Sequence, residues 1–309
     1  MRSSHPPLRF LVAESETQQA REKRRESVGR SSGETYLDIL HRLVPDAACD
    51  RIQPADTDAA LPPGLSLTGY DAVLLTGSPL HLYEETPETR RTVAFMRAVF
   101  ASGTPAFGSC AGLQVATVAA GGSVRPNARR LEAGFARRIT PTGEGRAHPL
   151  LAGRLAAYDA PAIHTDEVEA LPPGATLLAG NRLTAVQAAE IRFDGGVFWG
   201  VQYHPEIGLD EVAGALRRQA DGLVEADLAR GGEDVEATPG RLTPCTPNPG
   251  VATSLGVSAW TSRSRTSATG RPNCATSSRR SPGSGVRGCW LWIGRTPPSL
   301  RGTPPKRCR

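Results

Sequence analysis

The cysteine at position 110 lies at a predicted corner between a short apolar segment and an alanine-rich segment. Its neighbours at 108–112, GSCAG, are all small. A nucleophile elbow needs small neighbours, because the turn is tight and strained and projects its side chain at the carboxyl edge of a sheet. A helix that starts here favours the thiolate, and its N–H groups can stabilise an oxyanion. The pattern indicates a nucleophilic cysteine or, alternatively, a buried structural cysteine at a close strand–helix contact.

A histidine and a glutamate at the end of another apolar segment offer a base and an orienting carboxylate. In FWGVQYHPEIG (198–208), His204 and Glu206 are two positions apart, and residues i and i+2 of an extended chain face the same way. A cysteine nucleophile needs a base, and the base needs a group that fixes its tautomer. A His-Pro-Glu sequence alone is a weak signal. Together with the elbow it predicts that Cys110, His204 and Glu206 form one site, with sulfur and imidazole within proton-transfer distance.

The hydrophobic pattern predicts the elements that would bring these segments together. Apolar segments at 8–15, 71–79 and 104–108 are predicted strands, and helical patterns follow or separate them. Strands that alternate with helices of about 10 to 15 residues are typical of an α/β fold with a mostly parallel sheet and crossover helices. Beyond residue 130, short strand-like segments follow one another, and a last helix is predicted over 209–230.

Capping residues predict where two of the helices begin. Ser31 or Ser32 can cap a helix that carries Glu34 in its first turn. The segment TPETRRTVAFMRAVFASG (86–103) has a capping threonine, an early proline and a closing glycine. The polar, charged segment at 16–30 is compatible with a loop or with an exposed helical turn.

The charge distribution separates residues 237–309 from the rest of the chain. The net charge is +5, but residues 237–309 hold twelve Lys or Arg and no Asp or Glu, so that residues 1–236 carry 24 basic and 31 acidic residues. The segment 237–309 is rich in Ser, Thr, Pro, Gly and Arg and lacks periodicity, which predicts a disordered tail. It is either a genuine basic tail or the product of a lost reading frame, and the abrupt loss of every carboxylate favours the second interpretation.

Composition limits the classes of function. A hydrophobic content of 39% and a charged content of 22% are ordinary for a soluble globular protein. No apolar run of about 18 residues suggests a membrane span, and the start has too short an apolar stretch for a signal peptide, which predicts a cytoplasmic location. Only Cys49 and Cys110 precede the tail, without metal-type spacing. The basic run REKRR at 21–25 is interrupted by glutamate, so no nucleic-acid partner is expected.

Four segments together resemble a known family. GSCAGLQ (108–114) resembles the G-x-C-x-G-x-Q elbow of class I glutamine amidotransferases, and YHPE (203–206) resembles their closing triad segment. TGSP (76–79) lies where such proteins have a Gly-Gly-Pro oxyanion loop, and IHTDEV (163–168) resembles a segment of the amidotransferase domain of GMP synthase. The resemblance extends from residue 8 to about residue 230. It implies a flavodoxin-like three-layer α/β sandwich in residues 1–236.

The resemblance also implies roles for individual residues. Cys110 would attack the side-chain amide of the substrate glutamine to give a γ-glutamyl thioester, His204 would move the proton to departing ammonia, and Glu206 would orient His204. No metal or cofactor is implied. The remaining implied contacts are backbone N–H groups for the oxyanion and groups that hold the amino-acid end of glutamine: Gly77, Ser78 and Ala111 for the oxyanion; Gln114 and the main chain near His164 and Thr165 for the substrate.

Departures from the family pattern leave alternatives open. Ser78 replaces the second glycine of the oxyanion loop, which is tolerable if its φ is negative, and Ala111 replaces a larger residue. The chain has no visible synthetase motif, so an acceptor for ammonia would require a synthetase or other partner protein. The alternatives are a cysteine hydrolase that cleaves a γ-glutamyl or related amide without ammonia transfer, and a catalytically silent binding module. The oligomeric state is not indicated.

Overall fold

Residues 7–127, 131–218 and 220–225 are described by a computed structural model of the protein. They form eleven strands and seven α-helices. The strands are β1 Arg9–Ala13, β2 Ala48–Ile52, β3 Ala72–Leu75, β4 Ala106–Ser109, β5 Ser123–Pro126, β6 Glu132–Pro141, β7 Tyr158–His164, β8 Asp166–Ala170, β9 Ala175–Gly180, β10 Ala188–Phe193 and β11 Gly196–Val201. The helices are α1 Gln18–Val28, α2 Ser32–Leu43, α3 Pro87–Ser102, α4 Ala111–Ala119, α5 Gly143–Ala147, α6 Leu209–Arg218 and α7 Ala220–Glu225. The predicted tail at 237–309 lies outside the described residues.

Nine of the strands form one sheet in the order β2-β1-β3-β4-β11-β10-β9-β6-β7, and β5 pairs with β8 in a second, two-stranded sheet. The five strands from β2 to β11 are parallel, and the pairs from β11 to β7 are antiparallel. The prediction of an α/β sandwich with parallel strands is confirmed, and the antiparallel half makes the sheet mixed. The parallel half brings the carboxyl ends of β3, β4 and β11 to one edge, where the predicted site residues follow.

The sheet is covered on both faces, as the apolar run of β1 indicates. Phe10 and Val12 join a core cluster on one face, together with Tyr36 of α2. Leu11 and Ala13 point to the opposite face and join a cluster with residues of α3 and α4. Because successive side chains of a strand alternate between faces, a strand that is buried on both sides reads as a continuous apolar run.

The helix boundaries follow the predicted caps. Ser31 begins α2 with a reciprocal capping box to Glu34, and Thr86 and Gly103 bracket α3. The segment left open at 16–30 forms a complete helix, α1, which is capped by Thr17. Ion pairs with residues far along the chain accompany it, for example between Arg21 and Asp56 at 2.5 Å. Such pairs leave no periodic signal in the local sequence.

Candidate active site

The corner that holds Cys110 has the strained backbone of a nucleophile elbow. Cys110 lies between β4 and α4 with φ of 51° and ψ of −114°, in the half of φ/ψ space that residues with a Cβ disfavour. Its N–H donates to the Val201 carbonyl at 2.8 Å. A Cβ on Gly112 would lie 2.7 Å from the Leu75 carbonyl, and one on Gly108 would lie 3.0 Å from the Phe198 ring. Close packing therefore explains why the residues two positions before and after the cysteine are glycines.

The first turn of α4 lies directly behind the sulfur. Cys110 is the N-cap of the helix, and its carbonyl accepts from the N–H groups of Leu113 and Gln114. The N–H groups of Ala111 and Gly112 belong to the part of a helix that has no intrahelical acceptor. Together with the positive end of the helix dipole, they favour a negative charge at this corner.

His204 approaches Cys110 from the end of β11. Parallel pairing aligns Gly108 of β4 with Leu75 of β3 and with Gly200 of β11, so that the three following segments meet at one edge. The N–H of His204 donates to the Pro161 carbonyl at 2.8 Å. The imidazole lies beside Gly77, which also lies against Cβ of Cys110. The structure thus brings the two side chains to the same edge of the sheet, and proton transfer between sulfur and imidazole stays a prediction.

Glu206 binds the other side of the imidazole. Its Oε1 lies 2.6 Å from Nδ1 of His204, and the two side chains are 5% and 12% exposed. Burial lowers the pKa of His204, but the charges of Glu206 and of the Cys110 thiolate outweigh it, so that the pKa lies well above the ordinary histidine value. The raised pKa favours the charged, imidazolium form of His204.

The loop after β3 lies against Cys110 and His204. A Cβ on Gly77 would lie 2.8 Å from Cε1 of His204 and 3.6 Å from Cβ of Cys110, so only glycine leaves room for the imidazole here. Within the described residues, positive φ at non-glycine positions occurs at Cys110, Arg138 and Asp194. Ser78 therefore stands in place of the family's glycine without the strain of a positive φ. Its Oγ accepts from the Leu80 N–H at 3.2 Å.

The residues predicted to hold the amino-acid end of the substrate lie beside α4. Gln114 is buried, and its Nε2 donates to the Asp166 carbonyl at 3.1 Å and to Oε1 of Gln202 at 3.3 Å. Thr165 is exposed, and its carbonyl accepts from the N–H of Asn127 at 2.7 Å. The side chain of Gln114 thus holds the main chain beside Thr165. Its predicted contact with substrate stays a prediction.

His164 is held by the protein itself. Its Nε2 lies 2.9 Å from Oε2 of Glu132, and its Nδ1 lies 2.9 Å from the Asp166 carbonyl. The residue is 4% exposed. Because both partners accept hydrogen bonds, the side chain has no nitrogen left for a substrate. The predicted contact of the main chain near His164 with substrate stays a prediction.

Three residues near the site escape sequence reasoning. Ser109 donates to Oε1 of Glu206 at 3.0 Å, and the Tyr36 hydroxyl lies 2.6 Å from Oγ of Ser109. Glu132 is the partner of His164. Ser109 is visible in the sequence only as a small neighbour of the cysteine, and neither Tyr36 nor Glu132 belongs to a motif. Their partners lie tens of residues away, so only the fold reveals them.

A family model and curated relatives match the chain over the region that carries this geometry. The model named Glutamine amidotransferase class-I matches residues 39–218. A Pseudomonas protein named gamma-glutamyl-L-1-hydroxyisopropylamide hydrolase is 38% identical over 221 residues, which is 71% of this chain and 74% of that protein. A GMP synthase [glutamine-hydrolyzing] of Thermomicrobium roseum is 33% identical over 190 residues, which is 60% of this chain but only 32% of that protein.

Solved structures share the fold. A glutamine amidotransferase from Thermotoga maritima superposes with a TM-score of 0.55 at 19% identity, covering 77% of this chain and 94% of that one. A glutamine amidotransferase from Methylobacillus flagellatus superposes with a TM-score of 0.51 at 21% identity, covering 74% and 79%. In the part of this chain that the structure describes, no helix is both long and apolar enough to cross a membrane.

Proposed function

Because the chain belongs to the class I glutamine amidotransferase family, we propose that it hydrolyses a γ-glutamyl amide with Cys110 as the nucleophile. The observation that supports the proposal is the arrangement of Cys110, His204 and Glu206: the imidazole and the Cys110 side chain both lie against Gly77, and Oε1 of Glu206 lies 2.6 Å from Nδ1 of the imidazole. A base that is oriented by a carboxylate and bonded to a thiol is what nucleophilic acyl transfer requires.

The first half of the reaction forms a thioester. The Cys110 thiolate adds to the amide carbonyl carbon, and the carbonyl oxygen becomes an oxyanion. As the C–N bond breaks, the His204 imidazolium gives its proton to the departing amine nitrogen. Glu206 holds the ring through Nδ1, so that the other nitrogen faces the reacting atoms. The product of this step is a γ-glutamyl thioester on Cys110 and a free amine or ammonia.

The second half of the reaction hydrolyses the thioester and regenerates the free enzyme. His204 takes a proton from the water that adds to the thioester, and the C–S bond breaks to restore the thiolate. The γ-carboxyl group of glutamate releases its proton to solvent. In both halves the oxyanion is assigned to the N–H groups of Ala111 and of Gly77 or Ser78, since these lie on the two segments that flank the sulfur. Such preorganised donors lower barriers by about 2.7–4 kcal/mol each.

Hydrolysis without ammonia transfer is the form of this activity that we favour. The Pseudomonas relative, named for the hydrolysis of an N-substituted γ-glutamyl amide, spans most of this chain and most of its own length. The chain spans only about a third of the GMP synthase relative. An N-substituted γ-glutamyl amide is therefore the proposed substrate. Glutamine is the second candidate, with ammonia passed to a synthetase partner, because IHTDEV at 163–168 resembles the GMP synthase segment.

A substrate panel tests the proposal. The purified full chain is incubated with glutamine, with γ-glutamyl-L-1-hydroxyisopropylamide and with γ-glutamyl isopropylamide, and glutamate and amine or ammonia are both quantified. We expect equal yields of glutamate and amine from the N-substituted amides. Faster hydrolysis of glutamine would move the proposal to the second candidate. Unchanged release by Cys110→Ala, or no release from any γ-glutamyl amide, would overturn it.

A further inference from the structure

We propose that Tyr36 and Ser109 form a buried relay that positions the Glu206 carboxylate, and through it the imidazole of His204. This inference rests on the proposed function, because the two residues would support His204, the base of the proposed reaction. Neither residue touches the sulfur or the imidazole through the contacts described. They are positioning residues, and they act on the reaction through Glu206.

The relay is a continuous series of short contacts. Oε1 of Glu206 accepts from Nδ1 of His204 at 2.6 Å and from Oγ of Ser109 at 3.0 Å. Oγ of Ser109 lies 2.6 Å from the hydroxyl of Tyr36, which lies 3.3 Å from the carbonyl of Leu75. Tyr36 and Ser109 are both fully buried. Water therefore does not compete with these bonds.

The direction of the hydrogen bonds follows from proton counting. An ionised carboxylate only accepts, so the single hydroxyl proton of Ser109 points to Glu206. The single proton of the Tyr36 hydroxyl has two acceptors within reach, the Leu75 carbonyl at 3.3 Å and Oγ of Ser109 at 2.6 Å. Since the Ser109 proton points to Glu206, Oγ of Ser109 is the acceptor in the shorter contact. This order polarises each hydroxyl toward the carboxylate, since each donor in a chain strengthens the next.

Glu206 has an unusual need for this support. Its Oε2 is buried and has no hydrogen-bond partner among the residues that the structure describes. Oε1 alone therefore receives both donors, His204 and Ser109. Without the serine, the imidazole would be the one remaining contact of a buried charge, and the carboxylate could rotate away from the ring. A buried acceptor that loses a donor bears its desolvation cost.

The helix α2 supplies the far end of the relay from a rigid position. Its start is fixed by the capping box of Ser31 and Glu34. One turn before Tyr36, the Ser32 hydroxyl lies 3.0 Å from Oγ1 of Thr76, which in turn donates to the Gly77 carbonyl. Residues i and i+4 share one face of a helix. The same face of α2 thus contacts the carboxylate relay and the loop assigned to the oxyanion.

Steady-state kinetics of Ser109→Ala and Tyr36→Phe test the relay. We expect kcat to fall about tenfold in Ser109→Ala and about threefold in Tyr36→Phe, with KM changed by less than about twofold, because the lost bond supports the base and not substrate binding. The double variant is expected to match Ser109→Ala, since Tyr36 acts through Ser109. In a Glu206→Ala background, Ser109→Ala is expected to have no further effect.

Matched controls separate positioning from packing. Ser15→Ala removes another fully buried hydroxyl at the end of a neighbouring strand, and this hydroxyl has no partner within the described part of the chain. Tyr70→Phe removes a buried phenol that bonds Asp50 at 3.2 Å. Both controls are expected to keep the wild-type kcat. A folded Ser109→Ala enzyme with unchanged kcat, or an equal loss in Ser15→Ala, would overturn the relay.

A second readout needs no substrate. The rate at which iodoacetamide alkylates Cys110 at pH 6, followed by mass spectrometry of the Cys110 peptide, reports the thiolate that the imidazolium stabilises. We expect a drop of about threefold in Ser109→Ala and none in Ser15→Ala. If the wild-type chain hydrolyses no γ-glutamyl amide, the proposed function fails while this profile still decides the relay. An identical alkylation profile in Ser109→Ala would overturn it.

Discussion

The His204–Glu206 pair and the His164–Glu132 pair join the same two chemical groups at similar distances, 2.6 and 2.9 Å. Both pairs are largely buried, with side-chain exposures of 12% and 5% in the first and 1% and 2% in the second. The contact distance and the burial therefore do not distinguish the pair in the candidate active site from the pair that only supports the fold. The difference lies in what else each group contacts.

In the His164–Glu132 pair, which we call the scaffold pair, every side-chain nitrogen and carboxylate oxygen has a partner. Oε2 of Glu132 accepts from His164, from Thr184 at 3.0 Å and from Gln187 at 2.7 Å, and Oε1 accepts from Asn181 at 2.7 Å. Both nitrogens of His164 are also engaged. A fully satisfied network rigidifies the region and leaves nothing to react with.

The pair at the elbow leaves bonding capacity open. Oε2 of Glu206 lacks a partner in the described ranges, and the His204 imidazole lies beside Gly77 and the Cys110 side chain. The charges of Glu206 and Cys110 raise the pKa of this imidazole above the ordinary value despite its burial. The contrast teaches that the two histidine–glutamate pairs differ in how many of their hydrogen-bonding atoms have a partner, more than in contact distance.

The largest expected effect tests the proposed reaction of Cys110 with His204 as its base. Replacing Cys110 by Ala or His204 by Gln is expected to lower kcat/KM for the best γ-glutamyl amide by at least about 10³-fold, because each removes a member of a unit that acts together. His164→Gln, assayed at a temperature where it stays folded, is expected to keep most of the activity. Equal losses in His204→Gln and His164→Gln would break the comparison.

The next effect concerns the scaffold pair. Glu132→Gln replaces one buried carboxylate oxygen, which accepts hydrogen bonds from its neighbours, by an amide NH₂ group. A buried polar group left without its partner costs about 1–3 kcal/mol of the free energy of unfolding. Urea denaturation followed by circular dichroism measures this loss. Glu206→Gln serves as the matched control, with a smaller loss of stability and a larger loss of activity expected. A Glu132→Gln protein as stable as wild type would refute the scaffold role.

A smaller effect is expected at the glycine that touches the reactive imidazole. A Cβ at Gly77 would lie 2.8 Å from Cε1 of His204, whereas a Cβ at Gly69 would meet nothing within 4 Å. Gly77→Ala is expected to lower kcat about 10²-fold by displacing the ring, since small misplacements have effects of this size. Gly69→Ala is expected to have none. Wild-type kcat in Gly77→Ala would show that the ring tolerates displacement.

The smallest expected effect is a difference between the two pairs in how the free energy of unfolding depends on pH. Burial raises the pKa of Glu132, but hydrogen bonds from His164, Asn181 and Gln187 outweigh it, and the pKa lies below the ordinary value. A lowered pKa contributes stability above the unfolded-state value of about 4.3, and this contribution is lost as pH falls through the folded value. The raised pKa of His204 contributes stability below about 6.5, which is lost as pH rises through the folded value.

The two variants should therefore respond to pH in opposite directions. The stability deficit of Glu132→Gln relative to wild type is expected to shrink toward acid pH, and that of His204→Gln to shrink toward alkaline pH. Each deficit changes by at most about 1.4 kcal/mol per pH unit. Urea titrations from pH 3.5 to 9 measure both. Deficits that move in the same direction would contradict the assignment of charges.

Much of the architecture is local and could be predicted. The capping serine before α2, the proline-started α3 and the turn glycines act within a few residues of themselves, so the corresponding boundaries agree with the structure. The local sequence at 16–30 does not distinguish a loop from the helix α1, because the support of this helix comes from distant partners such as Asp56. The antiparallel half of the sheet could not be ordered from short strand-like segments, since strand pairing depends on contacts remote in sequence.

The residue types and their spacing were enough to determine the elbow at Cys110, the His-Pro-Glu segment and the family, because strain, small neighbours and a base beside a carboxylate leave a short-range pattern. Only the tertiary structure decided that Gly77 lies against the ring of His204 and that Tyr36 and Ser109 lie behind Glu206. The physical reason is that parallel pairing of β3, β4 and β11 brings together segments from residues 72–75, 106–109 and 196–201. These contacts between distant segments determine how many hydrogen-bond partners each buried polar group has.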